Sequence, residues 1–339
     1  MTARRAATIQ DVARAAGVST ATVSRVLNGA STVDADMARR VRAAAAATRY
    51  VPNGTGRALR RQVSDIWAAI VTDVQNPFFT AIFAALESVA VREGFSVMLC
   101  NSDEQVSRER TYLQAAVSQR MAGVVVAVTS ERESDLGPIR AARIPVVVVD
   151  RRLHDHTGDT ILVDNVLAGR LAADHLLQHG YRRIACIAGP PDVSTTEDRL
   201  AGFRAALAEA GRSIPERWVC RANLRAEGGE IAMRSLLAQS DPPDAVFATN
   251  GPLTVGTYRA IQSLRRSIPQ DVALIGVDDD QWTRMVSPMV TVIQQPVAEM
   301  GRLAGELLSS RSRSGGDVDP QHIVLNPELL VRASTAPRA

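Results

Sequence analysis

Lysine is missing from this 339-residue chain, and all 39 of its cationic side chains are arginine. Schiff-base chemistry on a lysine amine is therefore excluded, while the remaining cation is one that forks onto phosphate and guanine. Cysteine is scarce. Cys100, Cys186 and Cys220 are odd in number, far apart and set beside apolar strand-like residues, so neither a disulfide framework nor a zinc site is expected and all three read as buried thiols. No stretch approaches the roughly 18 apolar residues of a membrane span, and the N-terminal residues show no apolar signal-peptide core. A cytoplasmic protein without a membrane partner is expected. With 46% apolar residues the chain has enough for a substantial core in two or three domains.

What is present is unevenly distributed. Residues 1 to 61 hold eleven arginines against Asp11, Asp34 and Asp36, a balance of +8 in a chain whose total is +3, so the remainder is at −5. A basic head on an acidic body is the electrostatic footprint of a DNA-binding domain attached to something that is not one.

Within the head, TIQDVARAAGVSTATVSRVLN (8 to 28) reads as two short helices about a glycine turn. Thr8 is placed to cap the first helix, with Asp11 as a weaker capping-box acid, Gly17 takes the turn, and Ser19 caps the second. Val23, Val26 and Leu27 form an inward stripe. Thr20, Ala21, Thr22 and Arg25 face out. This is a helix-turn-helix, the shape that enters a major groove, although an ordinary helical hairpin has the same outline. An alanine-rich helix over 34 to 48, capped by Asp34, completes a three-helix head and stops at Tyr50-Val51-Pro52-Asn53. The next residues, GTGRALRRQ, suit a plain linker. They also suit a short hinge helix in which Leu59, flanked by Arg57, Arg60 and Arg61, wedges open a minor groove.

From Ile66 onward, β-branched runs alternate with helical stretches in two series. The first runs IWAAIVTD, helix 77 to 93, FSVMLCN, helix 107 to 120, GVVVAV, helix 131 to 142, PVVVVD. The second runs ILVDN, helix 166 to 179, RIACIAG, helix 197 to 210, WVC, helix 227 to 239, DAVFATN, helix 252 to 264, DVALIGV. Continuous apolar strands between helices mean parallel sheets covered on both faces, here two doubly wound subdomains. Ligands of such sheets sit at the carboxyl ends of the strands. Asp73, Asp150-Arg151, Asn250 and Asp278 each follow a strand run directly, and Phe78 and Phe79 open the helix beside the first. Carboxylates, an amide and guanidinium groups beside aromatic rings suit a polyol, whose hydroxyls need polar partners and whose CH faces need a flat wall.

At this point the chain resembles the lactose/galactose repressor (LacI/GalR) family. The resemblance is carried by TIQDVARAAGVSTATVSRVLNG, by YVPNGTGRALR, and by NPFF (76 to 79), VDR (149 to 151), DRLAGF (198 to 203), VALIGVDD (272 to 279) and TVIQQP (291 to 296), in the family's order over nearly the whole chain. It implies a periplasmic-binding-protein-like clamshell crossed by the chain near Asn165, Val292 and Leu325. The expected layout is a head over 1–51, a hinge over 52–63 and an effector-binding and dimerisation body over 64–339. Its N-subdomain takes about 64–163 and 293–324, its C-subdomain about 164–292 and 325–339. By resemblance Arg199 and Asp278 grip the ligand's polar edge and Asn250 assists. Thr20, Ala21 and Arg25 reach base edges; Thr8, Ser19, Thr22 and Asn28 complete the DNA-facing set, and Leu59 wedges the central step of a palindrome between Arg57 and Arg60.

Some positions depart from the pattern. Asn250-Gly251-Pro252 stands where relatives often have Asn-Asp, removing a carboxylate from the cleft rim, and Leu224 stands where purine-responsive relatives carry an aromatic ring. Gly54 and Gly56 weaken the hinge helix by about 1 kcal/mol each against alanine, so it is expected to form only on DNA.

Enzyme signatures are lacking. There is no P-loop, no GxGxxG after a strand and no GxSxG elbow. His175 and His179 have metal-like spacing on one helix but lack a third ligand, and read as a solvent-facing pair; Asp278-Asp279-Asp280 reads as solvated helix-start carboxylates rather than a cation site. No metal or cofactor is expected. The reading is a homodimeric transcriptional regulator, most simply a repressor, on double-stranded palindromic DNA, with a sugar or sugar derivative in its cleft. Alternatives are a global regulator with a protein co-repressor and, less readily, a sugar-binding sensor or a carbohydrate enzyme.

Overall fold

The structure, a computed structural model, describes residues 7–27, 33–50, 63–314 and 319–337. It divides into two units, Met1–Ser64 and Asp65–Ala339. In the first, α1 (Ile9–Ala16), α2 (Thr20–Leu27) and α3 (Ala35–Thr48) pack around Val12, Val23, Val26 and Val41. The cap of α1 is a full capping box rather than a weak one: Thr8 N–H donates to Asp11 Oδ2 (2.9 Å) and Asp11 N–H donates to the Thr8 hydroxyl (3.4 Å). Gly17 ends α1 at φ 66°, in the left-handed region where a Cβ is penalised. Asp34 caps α3 by accepting from Asp36 and Met37 N–H. Asn28, Arg57, Leu59, Arg60 and the hinge glycines lie outside the described residues.

The second unit begins with β1 (Ile66–Val71), α4 (Pro77–Glu93), β2 (Ser96–Asn101), α5 (Val106–Ser118), β3 (Gly123–Val126), α6 (Gly137–Ala141), β4 (Val146–Val149) and β5 (Asp159–Val163). It continues with α7 (Asn165–Gln178), β6 (Ile184–Ala188), α8 (Ser194–Glu209), β7 (Val219–Arg221), α9 (Ala226–Leu237), β8 (Ala245–Ala248), α10 (Gly251–Ser263) and β9 (Ala273–Val277). Then come α11 (Gln281–Met285), β10 (Thr291–Gln294), α12 (Val297–Ser314), β11 (His322–Leu325) and β12 (Glu328–Leu330). One sheet has the order β11-β5-β4-β3-β1-β2 and the other β12-β10-β9-β8-β6-β7. The pairings are parallel except for β10 against β12.

Both sheets are covered on two faces. Trp67, Ala69 and Val71 of β1 join Leu86 of α4 and Ala304 and Leu308 of α12, while Ala68 and Ile70 join Leu113 of α5 and Ile139 of α6. The strand period of two therefore sends alternate residues into different cores. In the second lobe α7 and α8 touch backbone to backbone: a Cβ on Gly169 would lie 1.8 Å from the Arg199 carbonyl oxygen, and one on Gly202 would lie 2.0 Å from that of Val166.

Several expectations need correction. The helix read over 131 to 142 is confined to α6, because the side chains of Ser134, Ser130 and Asp135 take the N–H groups of Ser130, Glu133 and Gly137 and hold the preceding residues in turns. The second lobe crossing, expected near Val292, comes after Gln294, since Ile293 pairs with Val277 and Gln294 with Glu328. The third crossing falls near Leu325 as expected, with Leu325 itself still in the first sheet, paired with Val163, and Glu328 already in the second. His175 is not solvent-facing: it is buried, its Nε2 2.7 Å from the Thr335 hydroxyl, with its ring 4.0 Å from that of His179. Cys220 is half-buried on edge strand β7, whereas Cys100 and Cys186 are buried. Asp278 is buried, and Asp279 pairs with Arg332 instead of standing in solvent.

Candidate functional site

In the head, α2 offers a small polar face. Thr20, Ala21 and Arg25 are exposed and Thr22 half-buried, opposite the buried Val23 and Val26. Ser19 anchors its start by accepting from Thr22 N–H at 3.1 Å, its hydroxyl 2.9 Å from that of Thr22. The hydroxyls of Thr8, Ser19 and Thr22 are thus engaged in holding helix ends, whereas Thr20 and Arg25 stand exposed on α2 with no side-chain hydrogen bond or ion pair among the described residues.

In the body, Asp73, Phe78, Phe79, Asp150, Arg151, Arg199, Asn250 and Asp278 line one cavity of about 430 Å³ between the lobes. Parallel topology explains the convergence: β1, β4, β8 and β9 deliver Asp73, Asp150-Arg151, Asn250 and Asp278 at their carboxyl ends. Asp150 (φ 68°) and Asp278 (φ 72°) adopt the left-handed backbone as the strands end, a conformation aspartate tolerates better than most residues. Phe78 and Phe79 open α4 edge to face, ring centroids 5.0 Å apart. Leu224 borders the same cavity.

Arg199 sits at the centre. Its Nε donates to Asn165 Oδ1 (2.8 Å), Nη1 to the Thr249 carbonyl (2.6 Å) and Nη2 to Gln295 Oε1 (2.7 Å), and Gln295 Nε2 in turn donates to Asp278 Oδ1 (2.7 Å). These bonds use three of the five guanidinium donors, leaving two N–H groups for a ligand. Arg151 is held bidentately by Glu104 (2.6 and 2.8 Å) and by the Thr129 carbonyl (3.0 Å), while its buried Nε has no partner and lies 3.9 Å from Asp150 Oδ2.

Burial dominates the electrostatics. It pushes Asp150 up to about 6 against the pull of Arg151 and Arg199, raises Asp278 against Arg199, and lowers Arg199 itself. For Arg151 burial works against the charge, but pairing with Glu104 outweighs it and the pKa rises. The cleft thus holds neighbouring carboxyls and guanidiniums whose donor and acceptor capacity is only partly satisfied from within.

Two of the expected residues are already engaged. Asp73 accepts from Gln75 N–H (2.9 Å) and pairs with Arg225, and Asn250 caps α10 by accepting from Leu253 N–H (2.8 Å). Gly251 clears space: a Cβ there would come within 3.0 Å of Asp278 Oδ2. Gln295, Glu104 and Arg225 also line the cavity and were missed in the sequence. Gln295 carried the same signal as Asp278, a polar residue just after an apolar strand; Glu104 and Arg225 carried none.

Four residue pairs among the described residues bridge the lobes. Arg225 reaches Asp73 (3.3 Å) and Asp103 (2.7 Å), Arg152 reaches Asp198 (3.0 Å), and Ser194 N–H donates to Glu131 Oε1 (2.6 Å). Among the described residues no group of three or more His, Cys, Asp or Glu is placed to hold a metal ion, and no helix is long and apolar enough to cross a membrane.

A helix-turn-helix unit followed in the same chain by two doubly wound lobes around a polar cleft defines a DNA-binding transcriptional regulator with a small-molecule site. Residues 8–53 match the family model described as bacterial regulatory proteins, lacI family, and residues 173–335 match that of the periplasmic binding protein-like domain. The ribose operon repressor of Escherichia coli (strain K12) is 34% identical over 329 residues, covering 97% of this chain and 99% of that protein. The chain belongs to the lacI family of bacterial regulatory proteins. Among solved structures, the lac repressor dimer bound to operator and the anti-inducer ONPF has a TM-score of 0.86 at 26% identity, covering 98% of this chain and 100% of that one. A LacI family regulator from Enterococcus faecium with bound ribose has a TM-score of 0.73 at 26% identity, covering 81% and 100%. These relatives are regulators rather than enzymes.

Proposed function

We propose that this chain acts as a homodimeric repressor on a palindromic operator, with α2 in the major groove, and that a sugar seated between the lobes controls it. Ribose is the first candidate. The observation that carries the reading is the cleft itself: Arg199, Asp278, Gln295, Arg151 and Asp150 present unsatisfied donors and acceptors beside the rings of Phe78 and Phe79. That is the chemistry of hydroxyl-bearing carbons. The ribose repressor relatives and the ribose-bound neighbour support the same choice, and favour a small-molecule effector over a protein co-repressor. Leu224 in place of a ring gives a flat base nothing to stack on from the second lobe.

In the head, Thr20, Ala21 and Arg25 read base edges while Thr8, Ser19 and Thr22 set the helix ends; Asn28, Arg57, Leu59 and Arg60 extend the contact on sequence grounds. Affinity capture of genomic fragments by the full-length protein gives the operator, and D-ribose titrated into the complex gives the response. Arg199→Ala and Asp278→Ala are each expected to abolish the response while leaving ligand-free operator affinity near that of the wild type. A response at the same ribose concentration in both variants rejects the cleft as the site.

A further inference from the structure

The charges that line the cleft sort in one direction. Asp73, Glu104, Glu133, Asp150, Asp192 and Asp278 stand against Arg151, Arg199 and Arg225, and two of these three guanidiniums are already ion-paired by this chain. Arg151 is forked onto Glu104, and Arg225 is bridged to Asp73 and Asp103. Arg199 donates to three neutral acceptors and feels Asp150 and Asp278 through space.

Three of the helix N-termini at the cleft, the other common seats for phosphate, already carry an acceptor, while α5 and α9 begin without a side-chain cap. Asn76 caps α4 by accepting from Phe78 N–H, Glu131 from the opposite lobe occupies the first turn of α8, and Asn250 caps α10, where Asp278 also accepts from Gly251 N–H.

We infer that the cleft selects an uncharged sugar and refuses its phosphate ester, with Glu104 as the positioning residue that neutralises Arg151 and so sets this selectivity. The inference rests on the sugar reading of the cleft. A phosphate brought into this lining meets twice as many carboxyls as guanidiniums at low dielectric, and of the three lining guanidiniums only that of Arg199 has no carboxylate hydrogen-bonded to it. Hydroxyls, in contrast, fit the unmatched Nε of Arg151 and the spare edge of Arg199.

Titration calorimetry on the full-length protein tests this with matched pairs: D-ribose and D-ribose 5-phosphate, D-glucose and D-glucose 6-phosphate, D-fructose and D-fructose 1-phosphate. In the pair that binds, the neutral sugar is expected to be tighter by about a hundredfold or more, and Glu104→Gln to narrow that ratio by about tenfold, a change in selectivity that simple loss of structure does not produce. A phosphate ester binding as well as its parent sugar in the wild type overturns the inference while the sugar reading stands, as does a ratio unmoved in folded Glu104→Gln. If no member of any pair binds, both fall. Should Glu104→Gln fail to fold, the wild-type ratio decides alone.

Discussion

The buried carboxylate of Glu131, in the first lobe, accepts the backbone N–H of Ser194 at the first turn of α8 in the second lobe, at 2.6 Å. No residue of α8 caps its own N-terminus by a side chain, so the helix depends on the facing lobe for an anionic partner. The bond exists only when the lobes are together. Glu131→Ala is therefore expected to weaken D-ribose binding about tenfold, or about 1.4 kcal/mol, with Glu131→Gln losing less because it retains an acceptor. Calorimetric affinities equal to wild type in both variants would show that closure does not draw on this bond.

Asp150 gives a pH signature. Its carboxyl ionises at about 6 in the folded chain because of burial, against about 3.9 when unfolded. The folded state thus keeps a proton that the unfolded state has lost, and the contribution to stability is full below about pH 4 and gone as the pH rises through 6. Asp150→Asn holds the neutral shape at every pH, and asparagine also tolerates the left-handed backbone. Without ligand, the variant should match wild type near pH 4 and be the more stable by on the order of 1–3 kcal/mol at pH 7.5. Thermal melts across that range showing a constant difference would remove burial as the cause.

On DNA, Arg25 is the exposed guanidinium of α2. Arg25→Ala should cost about 1–3 kcal/mol per half-site and relax preference at one base pair, as expected for pairing with guanine. A uniform loss over a library of operator variants would assign Arg25 to phosphate instead.

Much of this architecture was legible because parallel strands buried on both faces are nearly pure apolar runs, and the polar residue after each run marks the ligand end of the sheet. Asp150, Asn250 and Asp278 were found that way, and Gln295 follows the same rule. Glu104 could not be found. Its place beside Arg151 depends on the Arg151 side chain reaching past the Thr129 carbonyl, beyond the end of β3, to the loop after edge strand β2, and sheet order is not written in strand composition. Helix α12 also escaped the reading. The burial of His175 depends on Thr335, 160 residues away, so a local pattern of two histidines could not reveal it.

Gly169→Ala tests the close approach of α7 and α8. The added methyl would meet the Arg199 carbonyl oxygen at 1.8 Å, and backbone must move to admit it. A loss of about 1–3 kcal/mol is expected, with D-ribose affinity falling further than that of Ala168→Gly, a neighbouring change that adds no bulk. Wild-type ribose affinity in Gly169→Ala would show that the helix contact does not position Arg199.

Asn165, whose Oδ1 holds Arg199 Nε, is the first residue of α7 and follows directly on the first crossing between the lobes. Arg199 is therefore bonded to α7 by its side chain at Asn165, and its carbonyl packs closely on the same helix at Gly169. In mechanical terms the grip and the pivot are one casting. On the proposed sugar reading, a hydroxyl drawn against the guanidinium would load α7, and with it the crossing segment, through the Asn165 bond.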